Sequence, residues 1–316
     1  MKTKIIQYFK NQPRFYALLK FSVWVALLFA VANGLAALSL FALSRSAFYK
    51  PSFLVNTFDT KEPFAYIVLG SSRGLTTLDT KQIDSKLGIR GINLSVDDTS
   101  LPTHLLMAKH FFESGYHSDL VILALDSGSY ENEYLARSTN DYRFLPFVNR
   151  PYVRHYFEKS KSSFFDSLSL SRYLPLFGVS YYNLETIGPS IIATLFPQKR
   201  NRFDSSGNLT YPKTKAPAAS PNKKMVKLQL TNPQLTKLER YVNSHNAELI
   251  LYTAPYQDIE IQCIDAYFNL INHSNLLKDA NYFYDSIHVN KIGRELATKA
   301  FIEAFDKINQ TTVLLH

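Results

Sequence analysis

One stretch dominates the hydrophobic pattern: Phe21 to Ser44 runs without a single charge. At ~1.5 Å per residue a helix here covers the ~30 Å hydrocarbon core of a bilayer. It outruns the ~7–15-residue apolar core of a cleaved signal peptide, which predicts an uncleaved anchor. No later stretch is long and apolar enough to span again. The other apolar runs are short. Ala65–Leu69, Ile89–Val96, Leu120–Leu125 and Glu248–Thr253 read as strands, and bare apolar runs of this length suit a parallel sheet covered on both faces. Helices are predicted between them: Leu75–Leu87, with Asp79 as a possible cap and Gly88 closing it, Leu101–Ser114, and a segment from Thr231 to about His245. Ile259–Leu270 and Lys291–Asn309 also read as helices, and Tyr282–Tyr284 as a short edge strand. Alternating strands and helices predict right-handed crossovers and an α/β fold with a parallel sheet.

The rhythm stops between about residues 130 and 230, a segment dense in tyrosine and phenylalanine. Tyr173–Phe196 reads there as one or two apolar helices broken at Gly178 and at Gly188-Pro189. Phe203–Leu209 reads as a hairpin turn and Lys213–Lys224 as a loop. The domain plan is therefore a basic segment at 1–20, an anchor at 21–44, a linker or packing arm at 45–63, and an α/β domain at 64–316 carrying this aromatic-rich insertion.

Charge sets the orientation. Lys2, Lys4, Lys10, Arg14 and Lys20 precede the apolar run and only Arg45 and Lys50 follow it closely, so the N-terminus is expected in the cytoplasm and the main domain outside it. The formal charge of +9 is otherwise scattered, and no nucleic-acid motif accompanies it, so nucleic acid is not an expected partner. The single cysteine, Cys263, excludes an internal disulfide or a thiolate metal cluster; no metal or cofactor is expected.

Candidate chemistry gathers at strand ends. Gly70-Ser71-Ser72-Arg73-Gly74 follows the first strand, Asp97-Asp98 the second, and Asp126-Ser-Gly128-Ser the third. Asp285-Ser-Ile-His288 precedes the last helix. Ligands of open α/β sheets sit at these carboxyl ends. A serine hydroxyl needs a base, and histidine oriented by a carboxylate supplies one. Ser72, His288 and Asp285 are the candidates. Taken singly each motif has a plainer reading: a Gly-Ser turn into a helix, and a capping Asp before an unrelated His. Gly70-x-Ser72-x-Gly74 also matches the α/β-hydrolase elbow, but that elbow follows several strands and keeps its acid and histidine on separate loops. Arg73 is a candidate for holding an anionic substrate group, or else a structural ion-pair partner of Asp97, Asp98 or Asp126.

The chain resembles the SGNH (GDSL-type) hydrolase superfamily over roughly residues 62–130 and 230–308. Gly70-Ser71-Ser72 is similar to its Gly-Asp-Ser block, Asn93 to Asp98 to its Asn-x-x-x-x-Gly block, and Asp285-x-x-His288 with His-Val-Asn-Lys-Ile-Gly293 to its final block. The resemblance implies a flavodoxin-like three-layer parallel sheet and Ser72 as nucleophile, with Asp285 and His288 completing the triad. Asn93, Asp98 and Gly128 become candidates for the oxyanion or substrate side. There are departures: an aspartate replaces the second-block glycine, and Asp126-Ser-Gly-Ser replaces the block that carries a side-chain oxyanion donor. Loss of one such donor costs about 10²–10³ in rate. An anchored, exported member looks like the branch that O-acylates cell-envelope polysaccharides. The resemblance thus implies an acyltransferase or esterase, a surface glycan as substrate, and a membrane-bound O-acyltransferase as candidate partner. The alternative is a non-catalytic assembly or glycan-binding subunit.

Overall fold

A computed structural model describes residues 13–126, 137–160, 165–213, 223–230, 232–264 and 269–313. The fold is α/β. Strands β1 (Phe64–Gly70), β2 (Gly91–Asn93), β3 (Ser118–Leu125), β5 (Glu248–Thr253) and β7 (Leu270–Asn272) form one five-stranded sheet in the order β2-β1-β3-β5-β7. All of its pairings are parallel. Strands β4 (Lys224–Leu228) and β6 (Ile259–Cys263) pair in parallel as a separate ribbon.

The bare apolar runs are strands because both sheet faces are covered. Ile67, Leu69, Val121, Leu123, Leu249 and Leu251 point to one side. There they meet Leu106 and Phe111 of α5 (Leu101–Phe112) and Leu235 and Leu238 of α10 (Pro233–Asn243). Tyr66, Val68, Ile122, Ile250 and Tyr252 point to the other. There they meet Ile83 of α4 (Thr80–Leu87) and Phe301 and Phe305 of α11 (Lys291–Val313). Three layers result.

The N-terminal helix α1 (Pro13–Ser44) is the one helix among the described residues long and apolar enough to cross a membrane. Its far end is not free. Ala36, Leu40 and Leu43 are buried in the same core as the sheet. The expectation of a linker at 45–63 is corrected in favour of a packing arm: α2 (Lys50–Thr57) buries Phe53 and Leu54 completely. Even Lys50 is buried, with its ammonium over the Phe203 ring and donating to the carbonyls of Asn93 (2.6 Å) and Gly207. Burial holds its pKa well below the usual lysine value, with Asp204 and Asp97 opposing.

Other expectations shift. The predicted helix over Leu75–Leu87 is two, α3 (Ser72–Thr77) and α4, divided where the Asp79 side chain accepts from Lys81 N and caps the second. Within Ile259–Leu270 the described residues are not helical, and residues 265–268 lie outside the described residues. Ile259-Glu-Ile-Gln-Cys263 alternates and pairs as β6, while Leu270 opens β7. Tyr282–Tyr284 is not a strand but the end of a 3₁₀ turn (Ala280–Tyr282), with only Phe283 bridged to Val289. The insertion contains α6 (Pro151–Lys159), α7 (Ser167–Leu170), α8 (Pro175–Tyr181) and α9 (Asn183–Leu195). Gly178 and Gly188-Pro189 lie inside helices rather than between them; the break falls at Tyr182. Phe203–Leu209 turns as predicted, around Asp204, but without flanking strands; its Ser206 carbonyl accepts from Asn93 N and so covers the open edge of β2.

Candidate active site

The site begins where β1 stops. Gly70 has to be glycine because a Cβ there would meet Ala124 of β3 at 2.9 Å. Ser71 is the N-cap of α3, its hydroxyl accepting from Arg73 N at 3.4 Å. Ser72 is the first residue of that helix and is half-buried.

Its partner arrives from the chain's other end. Tyr284 N donates to the His288 carbonyl at 2.8 Å, and Phe283 bridges Val289, so residues 284–288 form a closed loop. Behind it, the Asn290 side chain accepts from the amides of Ile292 (3.0 Å) and Gly293 (3.1 Å) and starts α11. Gly293 is required there because a Cβ would strike the Tyr282 carbonyl at 2.1 Å. The loop presents His288 with Nε2 2.8 Å from Ser72 Oγ and Nδ1 2.8 Å from Asp285 Oδ2. With Nδ1–H donated to Asp285, Nε2 carries its lone pair toward the Ser72 hydroxyl, which can donate to it. Asp285 Oδ1 also accepts from Ile287 N (2.9 Å) and His288 N (2.8 Å). Burial raises its pKa, but the His288 and Ile287 hydrogen bonds outweigh burial and hold it below the usual carboxylate value.

Arg73 is 2 % exposed, which corrects the expectation that it holds a substrate anion. It donates to the carbonyls of Ala254 (2.5 Å), Pro255 (2.9 Å) and Ile287 (3.2 Å), lies 3.2 Å over the Tyr256 ring, and sits 3.8 Å from Asp126. Its ion-pair reading is the structural one, with Asp126 as partner. Through Ile287 it ties the serine helix to the histidine loop. Asn93 is likewise corrected: fully buried, its amide donates to the Gly74 carbonyl at 2.9 Å and its oxygen accepts from Ser95 N at 3.0 Å, so it braces α3 and offers nothing to a ligand.

Asp98 lies on an exposed turn. Val96 N donates to the Gly70 carbonyl at 2.9 Å, so the Asp97-Asp98 turn leaves the sheet beside the Ser71-Ser72 corner. Asp98 is exposed with φ 51°, the left-handed conformation a glycine adopts at no cost. Asp97 anchors the turn: Arg143 donates to both its oxygens, at 2.6 and 3.2 Å. Burial raises the Asp97 pKa, yet those bonds hold it below the usual value. Gly128 lies outside the described residues.

Two residues went unsuspected. Tyr211 stacks on Tyr284 with centroids 4.3 Å apart and planes 5° from parallel, and its ring lies 5.3 Å from that of His288. Arg143 comes from the insertion. Neither left a signal in the sequence, since each acts on a residue far from it along the chain. Among the described residues no group of His, Cys, Asp or Glu could hold a metal ion. No protein-family description matches the chain, and no curated protein is significantly similar to it.

Proposed function

We propose that this chain is a membrane-anchored serine acyltransferase or esterase that works on O-acyl groups of a cell-surface polysaccharide. The carrying observation is the continuous relay of 2.8 Å contacts from Ser72 through His288 to Asp285. Ser72 Oγ attacks the acyl carbonyl as His288 Nε2 takes its proton, and Asp285 stabilises the resulting imidazolium. The backbone N–H groups of Ser72 and of the Asp98 turn are the candidate donors to the oxyanion. The imidazolium then protonates the departing alcohol, leaving acyl-Ser72. A second hydroxyl, from water or from a glycan, gives its proton to His288 and takes the acyl group. The Tyr211–Tyr284 pair offers a flat aromatic wall suited to a sugar face.

The SGNH resemblance of the three motif blocks supports the same chemistry, and the charge asymmetry around α1 supports an extracytoplasmic domain with a cytoplasmic N-terminus. The candidate partner, a membrane-bound O-acyltransferase, belongs to the same reading. A second reading, a non-catalytic assembly or glycan-binding subunit, draws on Asp126. This carboxyl, its pKa raised by burial with Arg73 opposing, occupies the end of β3 where the resemblance leads one to expect a side-chain donor.

The test is a fluorophosphonate serine probe applied to the full chain in detergent. Labelling should map to Ser72 and vanish in Ser72→Ala and His288→Ala. A folded protein that stays unlabelled supports the second reading instead.

A further inference from the structure

Helices α8 and α9 are built inside out. Along α9, Leu184, Ile187, Ile191 and Leu195 follow one another at helical spacing and all face outward, Leu184 at 82 % and Leu195 at 65 % exposure. The residues turned inward are Thr186, Ser190 and Ala193. Tyr181 of α8 is 71 % exposed. A helix on a water-facing surface has the opposite polarity.

The hairpin packs against α1, the apolar span. Leu176 N, at the start of α8, donates to Asn33 Oδ1 of α1 at 3.1 Å. With Lys20 at one edge of the ~30 Å core, that core ends near residue 40, so Asn33 lies within it. The start of α8 is therefore at hydrocarbon depth, where no water satisfies the backbone. The first turn of α8 meets that demand: Pro175 has no N–H, Leu176 N is bound to Asn33, and Phe177 N donates to the Leu174 carbonyl at 3.0 Å. The hydroxyls obey the same rule. Ser180, Thr186, Ser190 and Thr194 each donate back to a carbonyl of their own hairpin. At the corner between α8 and α9 the domain satisfies the backbone, the Tyr49 hydroxyl donating to the Glu185 carbonyl, while Asn183 and Glu185 themselves are exposed. At the other end Ala47 N donates to the Pro197 carbonyl at 2.7 Å, bringing Arg45, Lys199 and Arg200 to the one level where headgroups would lie.

We infer that the α8–α9 hairpin is inserted in the leaflet next to the α/β domain, its exposed apolar stripe covered by lipid acyl chains. The domain then rides against the membrane at a fixed orientation instead of swinging on a tether. This rests on the anchor part of the proposed function and not on its catalysis.

The experiment uses the full chain reconstituted in bilayers with and without brominated acyl chains, which quench tryptophan on contact. Trp24, the only tryptophan, reports on the span. Ile187→Trp and Ile191→Trp, each combined with Trp24→Phe, report on the hairpin, and Met225→Trp in the same background reports on a water-facing strand. The emission of Ile187→Trp and Ile191→Trp should fall with brominated lipid at least as far as that of Trp24, while Met225→Trp is unchanged. Quenching of Trp24 without quenching at either hairpin position overturns the inference and leaves the anchor standing. A cross-linked dimer then assigns the stripe to a second copy, and a monomer assigns it to another membrane protein. Loss of quenching at Trp24 as well overturns the anchor itself.

Discussion

The two halves of the candidate site are held in different ways. The nucleophile half is built wholly from the α/β frame: Ser72 opens a helix at the end of β1, and His288 and Asp285 sit in a loop closed on itself and tied to that helix by Arg73. The half proposed for the oxyanion is not. Its turn at Asp97-Asp98 depends on Arg143, a residue of the insertion, whose neighbours Tyr142 and Tyr49 lead to the helices packed on α1. Tyr142 stacks on Tyr182 between α8 and α9, 4.9 Å from ring to ring. Ser72, His288 and Asp285 are therefore held by the α/β frame, whereas the Asp97-Asp98 turn is held by an element that also meets α1. On the proposed reading this is a division: the frame would decide whether acyl-serine can form, and the insertion how well its transition state is held.

The largest effects should come from breaking the nucleophile half. Ser72→Ala and His288→Ala should each remove activity on an acetylated glycan by on the order of 10⁴-fold or more, to similar extents and without adding in the double variant. Thermal melting should stay close to that of the parent. Asp285→Asn should lose less than either, because the imidazole remains though wrongly held. The same substitution has a pH signature. The folded-state pKa of Asp285 is depressed, so its ion pair contributes stability above the usual carboxylate value and loses it as pH falls through and below that value. Being half-exposed, the pair contributes little. Melting temperatures across acid pH should fall slightly less steeply for Asp285→Asn than for the parent, and a steeper fall would count against the assignment.

The second effect tests the dependence on the insertion. Arg143→Met removes both hydrogen bonds to Asp97 and frees the Asp98 turn. Turnover should fall by about 10–10²-fold, the scale of a weakened oxyanion donor, with KM little changed. Arg143→Lys should recover part of it. If KM rises instead and turnover holds, Arg143 belongs to substrate binding and the contrast between the halves collapses.

The same contrast decides what could be read from the sequence. Strands at Leu120–Leu125 and Glu248–Thr253 were legible because burial on both faces demands unbroken apolar runs. The Ser72, His288 and Asp285 candidates came from short motifs, but what brings them together is not local: Gly70 lies against Ala124 of the next strand and Gly293 against the Tyr282 carbonyl. Ile259–Leu270 was misread because strand-like alternation over five residues runs straight into a more helical composition. The linker alternative at 45–63 fails at Lys50, whose burial is met by two carbonyls far along the chain and by the Phe203 ring. Arg73 read either as a substrate contact or as an ion-pair partner, and the structure buries it beside Asp126. Arg143 and Tyr211 were invisible because their partners, Asp97 and Tyr284, are reached only through the fold.

The smallest effect separates the two adjacent serines and fixes the register of the site. Ser71 and Ser72 share a strand end, but the helix turns their hydroxyls to different tasks. Ser71 Oγ accepts from Arg73 N as an N-cap, at a long 3.4 Å, and is buried; Ser72 Oγ faces His288 Nε2. Replacing a cap residue by alanine costs about 0.5–2 kcal/mol, and the long contact places this one at the low end. Ser71→Ala should therefore lower the melting temperature slightly while keeping turnover within a few-fold of the parent. The stability change and the activity change should part company here, as they do in the opposite direction for Ser72→Ala. If Ser71→Ala abolishes turnover while Ser72→Ala spares it, the nucleophile lies one residue earlier and the contact to His288 is incidental. If neither substitution changes turnover, the hydroxyls at the end of β1 are not the chemistry, and the Asp285–His288 loop holds its histidine for another purpose.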